Sequence, residues 1–382
     1  MMILQLRSIG MCLAGAAAAV LLPSSTFAQG SLGAQGFGYP TGQLSSGALG
    51  MGGATAEADA ATPLNPAALS SLTRFAIYMQ FEPEFRKTST PDGEASTATM
   101  RFPNFSGSGS YRRFTGGVAF STLLDRTWSN TYEDSQSVGG VLYPSSLHAS
   151  SNGAINDVRF AASYLLNATI QVGIGVHAIA GENRVEFGRA FPDSTGLGSV
   201  AQASVVNYSG RAFSAGLIWR PTQQVIVGTS ARFGGPLRAE MNGDSLSHAD
   251  VPSRYGLGIT YVGIPNTTLS LRGERTTWTD MRGLGTSEVS YFDATDIGLG
   301  VDVSGPTILG SATTVRLGFR DRGLPFGLRG EQVSERSLST GLALPLSQGR
   351  AQMDFGLQRA VRKATSMTET AWALSIGLGI RP

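Results

Sequence analysis

Residues 372–381 read WALSIGLGIR and alternate without a break. Trp372, Leu374, Ile376, Leu378 and Ile380 share one set of positions; Ala373, Ser375, Gly377, Gly379 and Arg381 share the other. Side chains two apart lie on one face of a β-strand, so this segment predicts a strand with one bulky apolar face and one small or polar face. The same pattern recurs upstream. Ile297, Leu299 and Val301 oppose Asp296, Gly298 and Gly300; Tyr255, Leu257 and Ile259 oppose Gly256, Gly258 and Thr260; Ile170, Val172 and Ile174 oppose Gln171, Gly173 and Gly175.

A water-soluble sandwich also alternates, but its outer face meets water and is rich in Lys and Glu. Here the second face carries small residues and single charges of both signs, and the 382-residue chain has only two lysines, Lys87 and Lys363. An apolar outside around a polar inside suits a closed barrel in lipid, where every backbone group must find a partner within the protein. The expected fold is all-β, a transmembrane antiparallel β-barrel of about 14 strands starting near residues 73, 99, 114, 154, 168, 208, 223, 254, 266, 292, 312, 335, 350 and 370. Short turns are expected near 111–113, 167–168, 221–223, 265–266, 304–306 and 347–349, with longer loops near 83–98, 123–153, 185–205, 236–252, 279–289, 321–333 and 361–368. Short periplasmic turns and longer outer loops are the sidedness of Gram-negative outer-membrane barrels, and an even strand number puts both termini in the periplasm. Tyr164, Trp219, Tyr255, Phe319 and Trp372 fall near the expected strand ends on the lipid face, where amphipathic rings prefer to sit.

Composition agrees. Gly supplies 50 residues, charged residues are 15%, and the net charge of +2 gives no electrostatic case for nucleic acid. Arg7, the apolar run 9–22 and the small residues before Gln29 read as a secretory signal over 1–28, cleaved after Ala28. The one cysteine, Cys12, leaves with it, so no disulfide is expected in the mature chain. His148, His177 and His248 are scattered. No spacing selects a metal site or a Ser-His-Asp set, and neither a cofactor nor an enzyme activity is expected.

Residues 29–72 carry no strand pattern. Within them, 47–69 read GALGMGGATAEADAATPLNPAAL, apolar and small with only Glu57 and Asp59 charged. Glycines at 47, 50, 52 and 53 permit tight turns, 54–61 suggests a short helix ended by Pro63, and Asn65-Pro66 suggests a cap and first position for a further turn through Leu69. Such a segment suits a compact plug, or hatch, in the lumen, followed by the barrel over 73–382. Arg159, Arg232, Arg272, Glu274, Asp296, Asp302, Arg316, Arg320 and Asp354 fall on the lumen face and are expected to pair with one another or with the plug.

This stretch resembles the N-terminal signature of the FadL-type outer-membrane transporters of long-chain fatty acids and aromatic hydrocarbons, and of the related barrels of type IX secretion. The matching positions are Gly50-Met51-Gly52-Gly53-Ala54, Ala58-Asp59-Ala60 and Asn65-Pro66-Ala67. The departures are Ala60 for a second acidic residue, Ala68 for a glycine, a terminal Arg381-Pro382 in place of an aromatic, and outer loops that look shorter. The resemblance implies passive, plug-gated uptake of hydrophobic small molecules, with Gly50, Gly52, Gly53, Asp59, Asn65, Pro66 and Ala67 in plug and gating roles. In that family a kink in the third strand makes a lateral opening, for which Gly116 and Gly117 are the candidates here. Apolar side chains in the long loops, Leu124, Trp128, Leu142, Tyr143, Phe187 and Phe191, are candidates for a ligand groove. The alternative is an envelope or secretion scaffold with a protein partner and no transported ligand. Outer-membrane lipid, lipopolysaccharide and the barrel assembly machinery are the other expected partners of a monomer.

Overall fold

The computed structural model describes residues 37–72, 75–90, 93–284, 290–308, 310–328, 330–364 and 367–381. The expected signal and residues 29–36 lie outside the described residues. The wall is a closed antiparallel barrel of fourteen strands. They are β1 Ala76–Thr90, β2 Gly93–Tyr111, β3 Phe114–Asp125, β4 Val141–Leu165, β5 Ile170–Ala190, β6 Val200–Trp219 and β7 Val225–Met241, then β8 Arg254–Ile264, β9 Thr267–Thr276, β10 Ala294–Ile308, β11 Ser311–Leu328, β12 Glu331–Leu346, β13 Ala351–Ala364 and β14 Met367–Ile380. Each strand pairs with the next, and β14 closes on β1 from Ile380–Ile77 to Thr368–Ser89. Closure removes the exposed edges that an open sheet would leave.

The alternation read in the sequence is the alternation of the wall. In β14, Trp372 and Leu374 face outward while Ala373 and Ser375 are buried inside. The outer face carries Ile174, Phe213 and Leu338, each at least 60% exposed, whereas Arg272, Arg362 and Glu369 are buried in the interior. The apolar band has visible limits. Outward charges appear beyond Tyr255 and Trp372: Arg275 lies beside Tyr255 across β8–β9, and the Arg359 guanidinium sits 5.9 Å from the Trp372 ring centroid. At the other end Tyr164 packs on Phe114 at 4.8 Å, close to the short turns. The eight-residue step from Trp372 to Ile380 at ~3.3 Å per residue and ~40° tilt spans about 20 Å, close to the apolar band of such barrels.

Four expectations need correction. Most of the expected long loops are strand: 83–98 is the β1–β2 hairpin, and 123–153 holds an extra strand, Trp128–Val138, paired with the far half of β4. Cross-strand pairing carries these hairpins past the apolar band, where both faces tolerate polar residues and the period-2 pattern is lost. The turn placed at 304–306 falls instead at Gly310, because β10 continues to Ile308 past an irregularity at 304–307. Residues 54–61 form successive turns rather than a helix; the helix is α1, Ser46–Gly50, capped by the Ser45 side chain accepting from Ala48 N. Phe319 also lies mid-strand in β11 rather than at an end.

Candidate functional site

Residues 37–72 lie inside the barrel, on inward glycines of the wall. A Cβ on Gly318 would come within 2.0 Å of the Gly52 nitrogen, and one on Gly216 within 1.9 Å of Asn65 Oδ1. Gly52 itself has φ +63, and a Cβ there would meet the Phe319 oxygen at 2.5 Å. At Gly318 backbone therefore rests on backbone, which only glycine on both sides permits, while Gly216 makes room for the Asn65 side chain.

Side chains then fix the segment. Glu57 is buried; its Oε1 accepts from Arg254 Nη1 at 3.1 Å and Arg272 Nε at 3.4 Å, and its Oε2 from Ser230 Oγ at 2.6 Å. Asp59 works locally, accepting from Ser45 Oγ, Thr62 Oγ1 and Ala61 N at 2.5–3.0 Å. Asn65 caps the 3-10 turn Pro66–Ser71, with Oδ1 accepting from Ala67 N at 2.9 Å and Nδ2 donating to the Glu57 carbonyl at 2.8 Å. Asn65→Ala should cost about 1–3 kcal/mol by leaving those groups unmet. Hydrogen exchange at Ala67 in the folded barrel should rise accordingly; unchanged protection would refute the cap's contribution.

The lumen charges are compensated. Arg316 meets Asp354 at 2.5 Å, Arg320 meets Asp296, Arg272 meets Glu274, and Arg322 and Arg362 both reach Glu335 at 2.6 Å. Tyr39 sits among four guanidiniums, those of Arg86, Arg101, Arg322 and Arg362, at 4.2–5.5 Å from its ring centroid. Burial pushes its phenol up to about 12, against the pull of Arg322 and Arg362, so at neutral pH the hydroxyl keeps its proton and donates to Glu335 at 2.7 Å. Arg159 and Arg126 are exceptions among the described residues, each with Nε and Nη1 lacking any hydrogen-bond partner; Arg126 lies over the Tyr208 ring, whereas Arg159 is buried without such a contact.

Toward the long-hairpin end the interior changes character. Leu123, Leu124, Ile155, Ile179, Leu237, Val251, Trp278 and Met281 pack as an apolar cluster, called the chamber below, with Leu284 and Tyr291 against it. Phe37, fully buried, fills it, stacked on Tyr291 at 4.7 Å and on Trp278 at 6.5 Å. The sequence signal for this chamber is a change on the inward face: Asp157 gives way to Ile155 in β4, and His177 to Ile179 in β5, the second change offset by one inward position so that Ile179 pairs with Asp157.

Neither a protein-family model nor a curated protein matches the sequence. Solved structures do match in fold. A Pseudomonas aeruginosa FadL homologue aligns over 90% of this chain and 99% of its own at 11% identity, TM-score 0.63. The Pseudomonas putida toluene transporter TodX covers 88% of this chain and 97% of its own at 13% identity, TM-score 0.57. The monoaromatic hydrocarbon channel CymD covers 89% and 97% at 14% identity, TM-score 0.55.

The fold is that of the FadL-type channels.

Within this FadL-type barrel the wall is interrupted at β3. The β2–β3 ladder runs from Tyr111–Phe114 to Asn104–Ser121 and goes no further among the described residues. β3 continues against β4 past a bulge at Leu123. Its other edge is taken by the N-terminal segment, where Tyr39 and Pro40 pair with Asp125 and Leu124. Arg101 of β2 spans the gap to Asp125 at 2.7 Å. Beside the gap lies a cavity of roughly 450 Å³ lined by Thr97, Thr99, Thr127 and Trp128, while Met100 and Phe102 face outward. Gly116 and Gly117 are not at this interruption. They pair regularly with Gly109 and Ser108 on one side and Ala162 and Ala161 on the other. The β2–β3 ladder is lost past Ser121, next to the bulge between Thr122 and Leu124, not where side chains are small.

The six groove candidates do not converge either. Leu124 lies in the chamber wall and Trp128 at the gap, whereas Leu142, Tyr143 and Phe187 sit on the protruding hairpins and Phe191 in the β5–β6 connection, all outside the chamber cluster. No group of three or more metal-ligating side chains converges among the described residues.

Proposed function

We propose that the protein is an outer-membrane channel for passive uptake of hydrophobic small molecules, with residues 29–72 as its plug and both termini in the periplasm. The apolar chamber carries this reading. Apolar surface costs ~25 cal/mol per Å² to hold in water, and this cluster is an apolar seat within a lumen of paired charges. Phe37 occupies that seat as an internal ligand, and one turn of chain ties it to Tyr39 and Pro40, which cover the free edge of β3. A ligand that displaces Phe37 pulls on the strand covering the gap, and the gap leads sideways to lipid. The names of the similar channels, for toluene and monoaromatic hydrocarbons, support ligands on the scale of one ring; long-chain fatty acids fit the same class.

Cells carrying the barrel should accumulate labelled toluene or oleate faster than cells without it, and Ile179→Arg should lower the rate at least about tenfold by placing a charge in the chamber. Equal uptake by variant and parent, with the barrel inserted, would refute the reading. Phe37→Ala removes a competitor whose burial is worth ~2–3 kcal/mol, so the apparent Kd for an apolar probe should tighten by roughly tenfold or more. Equilibrium titration of the purified barrel checks this, and a weakened Kd would refute Phe37 as competitor.

A further inference from the structure

The floor of the chamber holds a hydrogen-bonded row that uptake does not require. His177 Nδ1 lies 2.7 Å from Asp157 Oδ1, and its Nε2 lies 2.9 Å from Ser214 Oγ. The three residues stand on β4, β5 and β6, and the next inward residues above them are Ile155, Ile179 and Ala212 of the chamber. Asp157 is fixed from its other oxygen by Arg232 and by Gln43 of the plug, both at 3.3 Å. An ionised carboxylate only accepts, so Nδ1 carries the proton and Nε2 is left to accept from the serine. Gly175, opposite Ser214, makes the diagonal reach possible: a Cβ there would stand 2.6 Å from Ser214 Oγ. Arg159, the cross-strand partner of His177, is buried with two N–H groups unpartnered.

We propose that Asp157, His177 and Ser214 form an ester-hydrolysing site for apolar carboxylic esters that lodge in the chamber. Ser214 Oγ adds to the ester carbonyl carbon while its proton passes to His177 Nε2. Asp157 holds the imidazolium, and the free N–H groups of Arg159 take the negative charge that develops on the carbonyl oxygen. The bond to the leaving alcohol breaks and His177 returns the proton to it. Water then adds to the acyl-serine, giving its proton to His177, and the acid leaves as Ser214 is reprotonated. Ester and water become acid and alcohol with no change of oxidation state. The row thus meets whatever polar group an apolar molecule carries at its inner end. The inference rests on the chamber being a ligand seat, as in the uptake reading, and adds chemistry to it.

The test uses the full chain folded in detergent, with an alkyl fluorophosphonate as covalent probe and p-nitrophenyl octanoate as ester. Expected results are labelling at Ser214 by peptide mass spectrometry and ester cleavage that falls about 100-fold or more in Ser214→Ala and in His177→Gln. Gly175→Ala, which crowds Ser214 without touching the acid–base pair, should lower the rate as well. Heat-modifiable gel mobility confirms that each variant is folded, and Phe37→Ala, which opens the chamber, should speed labelling. Trp278 fluorescence separates the two readings. Quenching by the ester with no cleavage and no labelling, in the parent and in Phe37→Ala, overturns hydrolysis and leaves uptake standing. No quenching in either background overturns both. Cleavage by folded Ser214→Ala at the parent rate also overturns the proposal.

Discussion

Glu57→Ala should unseat the plug from an intact barrel. The carboxylate is buried and answers Arg254, Arg272 and Ser230 on three neighbouring strands, β8, β9 and β7. Removing it leaves two buried guanidiniums sharing Glu274, with Asp296 at 3.8 Å from Arg272. Breaking a buried pair from one side costs about 3–5 kcal/mol when the stranded charge is uncompensated, and with Glu274 and Asp296 offsetting part of it the lower end of that range is expected. That is comparable with what holds a short segment of small residues in place, so the loss should appear as plug release and not as barrel unfolding. Limited proteolysis of the folded variant should cut within residues 37–72 at least about 100-fold faster than in the parent, and conductance across planar bilayers should rise. A plug equally protected in the variant would show that the glycine seat alone holds it.

Gly318→Val should have an effect of similar size by a different route. A Cβ at this position falls 2.0 Å from the Gly52 nitrogen and 2.2 Å from the Met51 carbonyl carbon. Both obstacles are backbone and cannot rotate away, so the overlap exceeds an ordinary overpacked core, where extra methylenes cost about 1–3 kcal/mol. The wall strand is hydrogen-bonded along both edges to β10 and β12, so the plug is the part expected to yield. Gly109→Val is the control, because a Cβ there meets nothing within 4 Å. The expected result is a plug-proteolysis rate raised strongly by Gly318→Val and unchanged by Gly109→Val, with heat-modifiable mobility kept in both. Equal rates in the two variants would show that the wall, and not the plug, adapts.

These two substitutions mark where sequence reading stops. The resemblance motif draws attention to Asp59, the acidic residue nearest the Asn-Pro-Ala triplet. In space Asp59 folds the plug on itself, while Glu57, two residues earlier, attaches it to the wall. The lumen glycines read as small residues on a polar face. Only their position opposite Gly52 and Asn65 shows that they form a seat. Gly116 and Gly117 drew attention as a weak point, yet the β2–β3 ladder ends at Ser121, and the edge beyond it, at Leu124 and Asp125, pairs with residues 39–40, far from it in the chain.

By itself the sequence determined the barrel. The period-2 pattern, the near-absence of lysine and the spacing of turns are local properties, and lipid outside with a polar lumen inside leaves one way to satisfy them. The Asn65–Pro66 cap was equally legible, because capping depends on adjacent residues. The tertiary structure alone decided the gap beside β3, the chamber filled by Phe37, and the row of Asp157, His177 and Ser214. Each is made from residues brought together by strand register and barrel closure. Register fixes which inward side chains lie side by side, and the positions at which β4, β5 and β6 change from polar to apolar form a diagonal floor only when the strands stand side by side.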